Sequence, residues 1–144
     1  MATITKEAEL DASVDDVWAK LTDLESYGDW LSIHTGYPDG APAELAEGTT
    51  FKEAVTIMGM PGEVTWTVKT IESGSTLELD GVGPMGVQLR NAYRLEASGD
   101  GTKLVCESEF GGDALAAMEA PLSAASDKAL TESLANLEAQ LAQP

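Results

Sequence analysis

His34 is the only histidine of the chain and stands in SYGDWLSIHTGY, Ser26 to Tyr37, beside three aromatic residues, Tyr27, Trp30 and Tyr37. An imidazole in such a setting can serve as a base, a metal ligand, the wall of a binding cavity or a core residue. Zinc sites draw on several His and Cys ligands, and this chain has one of each, His34 and Cys106. No metal is therefore expected, and a nucleophilic triad lacks its parts. The residues with which His34 could move a proton are Glu53, Asn91 and Tyr93. A carboxyl in an apolar cavity has its pKa raised by desolvation, which suits acid or base work. A solvent-facing Glu53 is the plainer alternative, and no catalytic residue is assigned.

Other motifs are explained by local structure. GVGPMG, Gly81 to Gly86, satisfies G-x-G-x-x-G. A dinucleotide fingerprint needs a helix to begin there; an alternating segment follows instead, so a loop between strands is expected, and no cofactor. DASVDD lacks the alternating ligands and central glycine of a calcium loop, and helix capping accounts for it. Neither a phosphate-binding G-x-x-x-x-G-K nor a G-x-S-x-G elbow occurs.

The formal charge of −17 over 144 residues opposes binding to phosphate backbones and anionic lipid surfaces. It fits a soluble protein and would suit a basic protein partner. The lone Cys106 allows no internal disulfide. No apolar run approaches the ~18–20 residues of a membrane span, and MATITKEAEL is unlike a signal peptide. A cytoplasmic, monomeric, single domain over 1–144 is the expectation.

The elements that must position His34 and Glu53 follow from periodicity. Thr3–Leu10 alternates and reads as a strand. Ser13 caps a helix to about Asp23, with Asp16 three residues on. Ser26 opens a second, short helix in which Tyr27, Trp30, Leu31 and His34 would share one face. Period two then returns in Thr50–Met58, Glu63–Ile71, Ser75–Val82, Gly86–Ala97 and Gly101–Phe110. The turn between the first two is placed at Pro61-Gly62. From Asp113 the chain reads as helix, with Pro121 kinking or dividing it. Short connections favour an antiparallel meander. Its inner face would carry Phe51, Glu53, Val55, Ile57, Val64, Trp66, Val68, Leu77, Leu79, Val87, Leu89, Asn91, Tyr93, Leu95, Leu104, Cys106, Ser108 and Phe110, covered by the long helix.

This order resembles the START/Bet v 1-like superfamily, also called SRPBCC or polyketide cyclase/dehydrase. The carriers are ASVDDVWAKLTDLESYGDW, WLSIH, the hairpin VTIMGMPGEVTWTV and the final helix, from about Thr3 to Ala142. WLSIH and the hairpin resemble a bacterial toxin-like branch. The resemblance implies an α+β helix-grip fold: a curved antiparallel sheet around a long C-terminal helix, with two short helices after the first strand. It implies binding of a hydrophobic or amphipathic small molecule, such as a lipid, a fatty acid or a polyketide-like aromatic. A cyclase/dehydratase, or the toxin of a toxin–antitoxin pair, are its alternatives.

The expected ligand-binding residues are Trp30, His34, Glu53, Val55, Trp66 and Val68, together with Leu79, Leu89, Asn91, Tyr93, Met118 and Leu122. His34 is expected to be a neutral cavity-wall residue offering one hydrogen bond, to a ligand's polar end or to Glu53. A satisfied core histidine competes with that role. The segment before Pro121, with Met118 and Leu122 at the mouth, is expected to move on ligand entry.

Overall fold

The computed structural model describes residues 2–83, 86–112 and 117–142. Seven antiparallel strands form one sheet in the order β1-β7-β6-β5-β4-β3-β2. The strands are β1 Ala2–Leu10, β2 His34–Gly36, β3 Thr50–Ile57, β4 Met60–Glu72, β5 Thr76–Val82, β6 Gln88–Ser98 and β7 Gly101–Gly111. The helices are α1 Val14–Thr22, α2 Tyr27–Trp30 (preceded by a 3-10 turn, Leu24–Ser26) and α3 Glu119–Ala142. The sheet curls around α3, so the fold is the helix-grip α+β arrangement.

Alternation decides which side of each strand is buried. Val64, Trp66 and Val68 of β4, Leu77 and Leu79 of β5, Tyr93 and Leu95 of β6, and Leu104 and Cys106 of β7 all lie in one core. Leu134 and Leu137 of α3 close it, with Val17 and Leu21 of α1. Each fully buried side chain of this size contributes about 1.5–3 kcal/mol. A register shift between Val68 and Thr70 interrupts the β4–β5 ladder; such a bulge bends a strand and increases its twist. Ser13 caps α1 as expected, its Oγ accepting from the Asp16 amide at 3.2 Å.

Four local expectations are corrected. The hairpin between β3 and β4 turns at Met58-Gly59, both at positive φ (55° and 73°), not at Pro61-Gly62. Two residues in that conformation match the twist of the flanking strands. Pro61 instead pairs with Thr56 in the part of β4 that extends beyond β5, whose pairing ends at Thr65↔Val82. A proline is tolerated where no neighbour needs its N–H.

The helix opened by Ser26 is shorter than its apolar spacing suggested. Ser26 makes no side-chain cap; its Oγ donates to the Asp23 carbonyl at 2.8 Å. α2 ends at Trp30 because Leu31 is extended (φ −77°, ψ 107°). His34 therefore opens a short edge strand, β2, that periodicity had not revealed. It pairs with Val55, and the Thr56 amide donates to the Ile33 carbonyl at 2.9 Å.

Pro121 neither kinks nor divides α3. It falls in the first turn, where a missing N–H has no intrahelical partner to lose. Leu115 and the start of the helix expected from Asp113 lie outside the described residues, as does the centre of GVGPMG. The long strand expected from Gly86 begins at Gln88, and Gly86 takes the left-handed conformation (φ 76°).

Candidate functional site: a buried carboxylate held by His34 and Trp66

Glu53 is the centre of the site. Alternation in β3 turns it to the concave face between Phe51 and Val55, where it is 4% exposed. Register sets Val64 opposite Glu53 and Trp66 opposite Phe51, so the Trp66 side chain lies on the same face one position away. Its indole Nε1 donates to Glu53 Oε1 at 3.0 Å. His34, from β2 on the other side of β3, places Nδ1 at 2.7 Å from Glu53 Oε2. A carboxylate only accepts, so a proton on Nδ1 would serve this bond. Charge-assisted bonds of this length are the strong ones, and they satisfy both oxygens of a carboxylate that burial would otherwise penalise.

Aromatic rings wall the imidazole. Tyr37 lies 4.7 Å away, ring to ring, and Tyr27 6.4 Å away in an edge-on arrangement. The tyrosine hydroxyls are used locally: Tyr27 donates to the Leu21 carbonyl at 2.5 Å and Tyr37 to the Leu24 carbonyl at 2.8 Å. Burial, followed by the negative charges and phenols around it, pushes the Tyr27 phenol well above its ordinary range. Burial does the same for Tyr93, with Cys106, Glu53 and Tyr37 adding to it. Trp30, 1% exposed, leaves its indole Nε1 without a partner among the described residues.

The hydrogen bond expected of His34 is therefore present, to Glu53, and the imidazole does face inward, though from a strand rather than a helix. Trp30, His34, Glu53 and Trp66 are gathered at the α2 end of the sheet. Val68, Leu79 and Tyr93 are buried in the same core, with Val55 and Leu89 packed against it. Asn91 is not joined to Glu53 by any hydrogen bond among the described residues; it accepts instead from Ser108 Oγ at 2.9 Å, its partner across β6 and β7. Leu122 belongs to a separate small cluster with Ile4 and Phe110, and Met118 stands half-buried just before α3.

Burial varies along the concave face. Leu95, Leu104, Tyr93 and Phe110 are buried, whereas Val55, Ile57, Leu89, Asn91 and Ser108 are only partly so. Leu130 of α3 and Leu89 are both partly buried and pack against the two core clusters. Two clefts lie elsewhere. One of about 610 Å³ is bordered by Thr35, Ala54, Val55, Pro61 and Val82, and one of about 490 Å³ by Ala19, Asp23 and Pro42. Val55 is the one expected site residue that either of them touches.

Two groups were missed by sequence reasoning. Tyr37 and Tyr27 flank His34; their place in the same aromatic segment was the available signal. Ser32, Ser133 and Asn136 tie α3 to the end of α2. The Ser32 amide donates to Ser133 Oγ at 2.9 Å, and Asn136 Nδ2 donates to the Trp30 carbonyl at 3.2 Å. A separation of 101 residues between Ser32 and Ser133 leaves no local signal.

Among the described residues, no group of three or more His, Cys, Asp or Glu side chains is placed to hold a metal ion, and no helix is long and apolar enough to cross a membrane.

Comparison with known proteins gives the family and a matching fold. The chain is 30% identical over 117 residues to the toxin Rv0910 of Mycobacterium tuberculosis, with 80% of each chain covered. It is 30% identical over 115 residues to the uncharacterized protein Rv1546 of the same organism, again with 80% of each covered. Among solved structures, the Zhui aromatase/cyclase from Streptomyces sp. R1128 superimposes with a TM-score of 0.79 at 16% identity, covering 97% of this chain and 93% of that one. The family model described as polyketide cyclase / dehydrase and lipid transport matches residues 1–142. The chain belongs to the polyketide cyclase / dehydrase and lipid transport family.

Proposed function

We propose that the protein binds an amphipathic small molecule between the concave face of the sheet and α3, with its polar end at the Glu53–His34 pair. The observation that carries this reading is the pair itself. A carboxylate 4% exposed on a mostly apolar concave face is expensive to keep unless its hydrogen bonds are made. Here it is held by an imidazole and an indole rather than by a lysine or arginine. An apolar surface with a few converging polar groups is the pattern of small-molecule sites. In this reading the partly buried inward residues Leu89, Asn91 and Ser108 would lie against the apolar part of the molecule. The family description, which joins cyclase, dehydrase and lipid transport, is in keeping with it.

Native mass spectrometry of freshly purified protein tests the reading. A co-purifying small molecule that is displaced when Leu89 is replaced by Trp supports it. A protein that carries nothing and gains nothing from a panel of fatty acids, phenols and polycyclic aromatics overturns it. Chemical change of the molecule on release would turn the reading from carrier to enzyme.

The relatives named as toxins support a second reading, a growth-inhibiting role. Inducible expression in a bacterial host tests it, and unchanged growth counts against it.

A further inference from the structure

The β3–β4 ribbon runs past the end of β5. β3 and β4 stay paired as far as Ile57↔Met60, whereas β5 leaves β4 at Thr65↔Val82. Val64 and Trp66 are buried inward, so alternation turns Pro61, Glu63 and Thr65 outward. Register sets Ala54 opposite Glu63 and Val82 opposite Thr65, on that same outer face. These outward residues border the cleft of about 610 Å³ together with Thr35. Val82 is 56% exposed, and Met58 and Met60, on either side of Gly59 at the tip of the ribbon, are each 45% exposed. Among the described residues these three are the large apolar side chains left exposed. Exposed apolar side chains gathered in one place mark an interaction surface. Met58 adds a second sign. It holds a φ of 55° at the first turn position, where such hairpins take Asn, Asp or Gly. Turn stability disfavours methionine there, and a residue kept against local preference points to a use elsewhere. Its flexible thioether suits adaptable contacts.

We propose that this end of the β3–β4 ribbon is a docking surface for a protein partner, whose docking segment carries apolar side chains beside lysine or arginine. Charge selects the partner. Glu63 is exposed, borders the cleft and makes no ion pair among the described residues. No described cation borders the cleft. Lys52 and Arg90, on nearby strands, are already engaged: Lys52 stands 3.8 Å from Asp39, and Arg90, opposite Asp80, bonds to Glu78 at 2.6 Å. Lys69 lies toward the other end of β4. A second copy of the chain would bring another −17 charges to the contact, so complementarity favours a basic segment over self-association. Val82, Pro61 and the two methionines would bury apolar side chains of the partner, and Glu63 would fix its lysine or arginine. The outward residues of this surface face away from the buried Glu53, so the proposal stands independently of the small-molecule reading.

The probes are a short amphipathic Lys–Leu peptide and the same peptide with glutamate in place of every lysine. Calorimetric titration should show binding of the first and not of the second, and NMR amide shifts should concentrate at Ala54, Glu63 and Val82. Val82→Ser and Glu63→Lys, both at exposed positions, should each weaken binding about tenfold or more. Glu132→Lys changes the net charge equally, at an exposed position of α3, and should leave affinity within about twofold. Met58→Asn should raise the urea midpoint, since asparagine tolerates the left-handed conformation, and still weaken binding. Binding of both peptides alike, binding of neither, or equal loss in Glu63→Lys and Glu132→Lys overturns the proposal. Undiminished binding in Val82→Ser or Met58→Asn does the same. So does a dimer in analytical ultracentrifugation that Val82→Ser dissolves, which would assign the surface to a second copy of the chain.

Discussion

The Trp66 indole lies directly against Gly81, its partner across β4 and β5: a Cβ on Gly81 would come within 2.7 Å of two ring carbons and 2.9 Å of Val64 Cγ1. The glycine is needed here for space, because the ring that donates to Glu53 occupies the volume a side chain would take. Gly81→Ala should push the indole off its position, weaken the bond to Glu53 and destabilise the fold by about 1–3 kcal/mol, as overpacking does. Urea unfolding and tryptophan emission measure both effects. Unchanged stability with unchanged emission would show that Trp66 can shift freely and that its contact with Glu53 is incidental.

Glu53 should be more tolerant of an isosteric amide than of an apolar residue. Glu53→Gln keeps an acceptor for the Trp66 N–H or the His34 N–H. Glu53→Leu leaves both donors buried without a partner, at about 1–3 kcal/mol each. Denaturation midpoints should therefore fall in the order wild type, Gln, Leu. If the Leu variant is the more stable of the two, the carboxylate is a burden on the fold that its hydrogen bonds do not offset.

Alkaline pH should unfold the protein early. Burial pushes the Cys106 thiol up from 9.0 to about 12 and raises the phenols of Tyr27 and Tyr93 well above 10.0. With folded values above unfolded ones, the stabilisation is fully present below the unfolded pKa. It is lost as pH rises, because the unfolded chain releases protons that the folded state keeps. The decline should begin near pH 9, where the unfolded thiol starts to titrate, and steepen above 10, at about 1.4 kcal/mol per pH unit per group. Urea midpoints that stay flat through this window would contradict the burial of these groups. For the same reason Cys106 should resist thiol reagents until the protein unfolds.

α3 should be held more firmly at its second half than at its first. Ser133, 1% exposed, and Asn136 bind the end of α2, whereas the first half adds the partly exposed Lys6–Asp127 ion pair at 2.8 Å. Exposed pairs of that kind contribute about 0–1 kcal/mol. In hydrogen exchange, amides of residues 123–128 should exchange faster than those of 133–139. Ser133→Ala should narrow the difference and speed exchange of the Ser32 amide. Equal protection in both halves would remove the basis for α3 opening at its N-terminal end.

The sequence by itself determined the faces. Period-two alternation in Val64–Val68, Leu77–Leu79 and Leu104–Phe110 fixes which side chains turn inward, because a one-residue slip would expose every one of them. For Glu53 it offered the concave side without excluding solvent, and it placed the Ser13 cap and the helix that follows. What it could not determine were features set by contacts across the fold. His34 was read onto a helix because its spacing from Tyr27 and Trp30 fits one; pairing with Val55 in the edge of the sheet took it into a strand instead. The β3–β4 turn moved to Met58-Gly59 because cross-strand register, not the turn preference of Pro-Gly, decided where the chain reverses. Most of all, the meeting of Glu53 with His34 and Trp66 depends on three neighbouring strands being in register at once. Local periodicity fixes the direction of a side chain, but only tertiary pairing brings its partner within 3 Å.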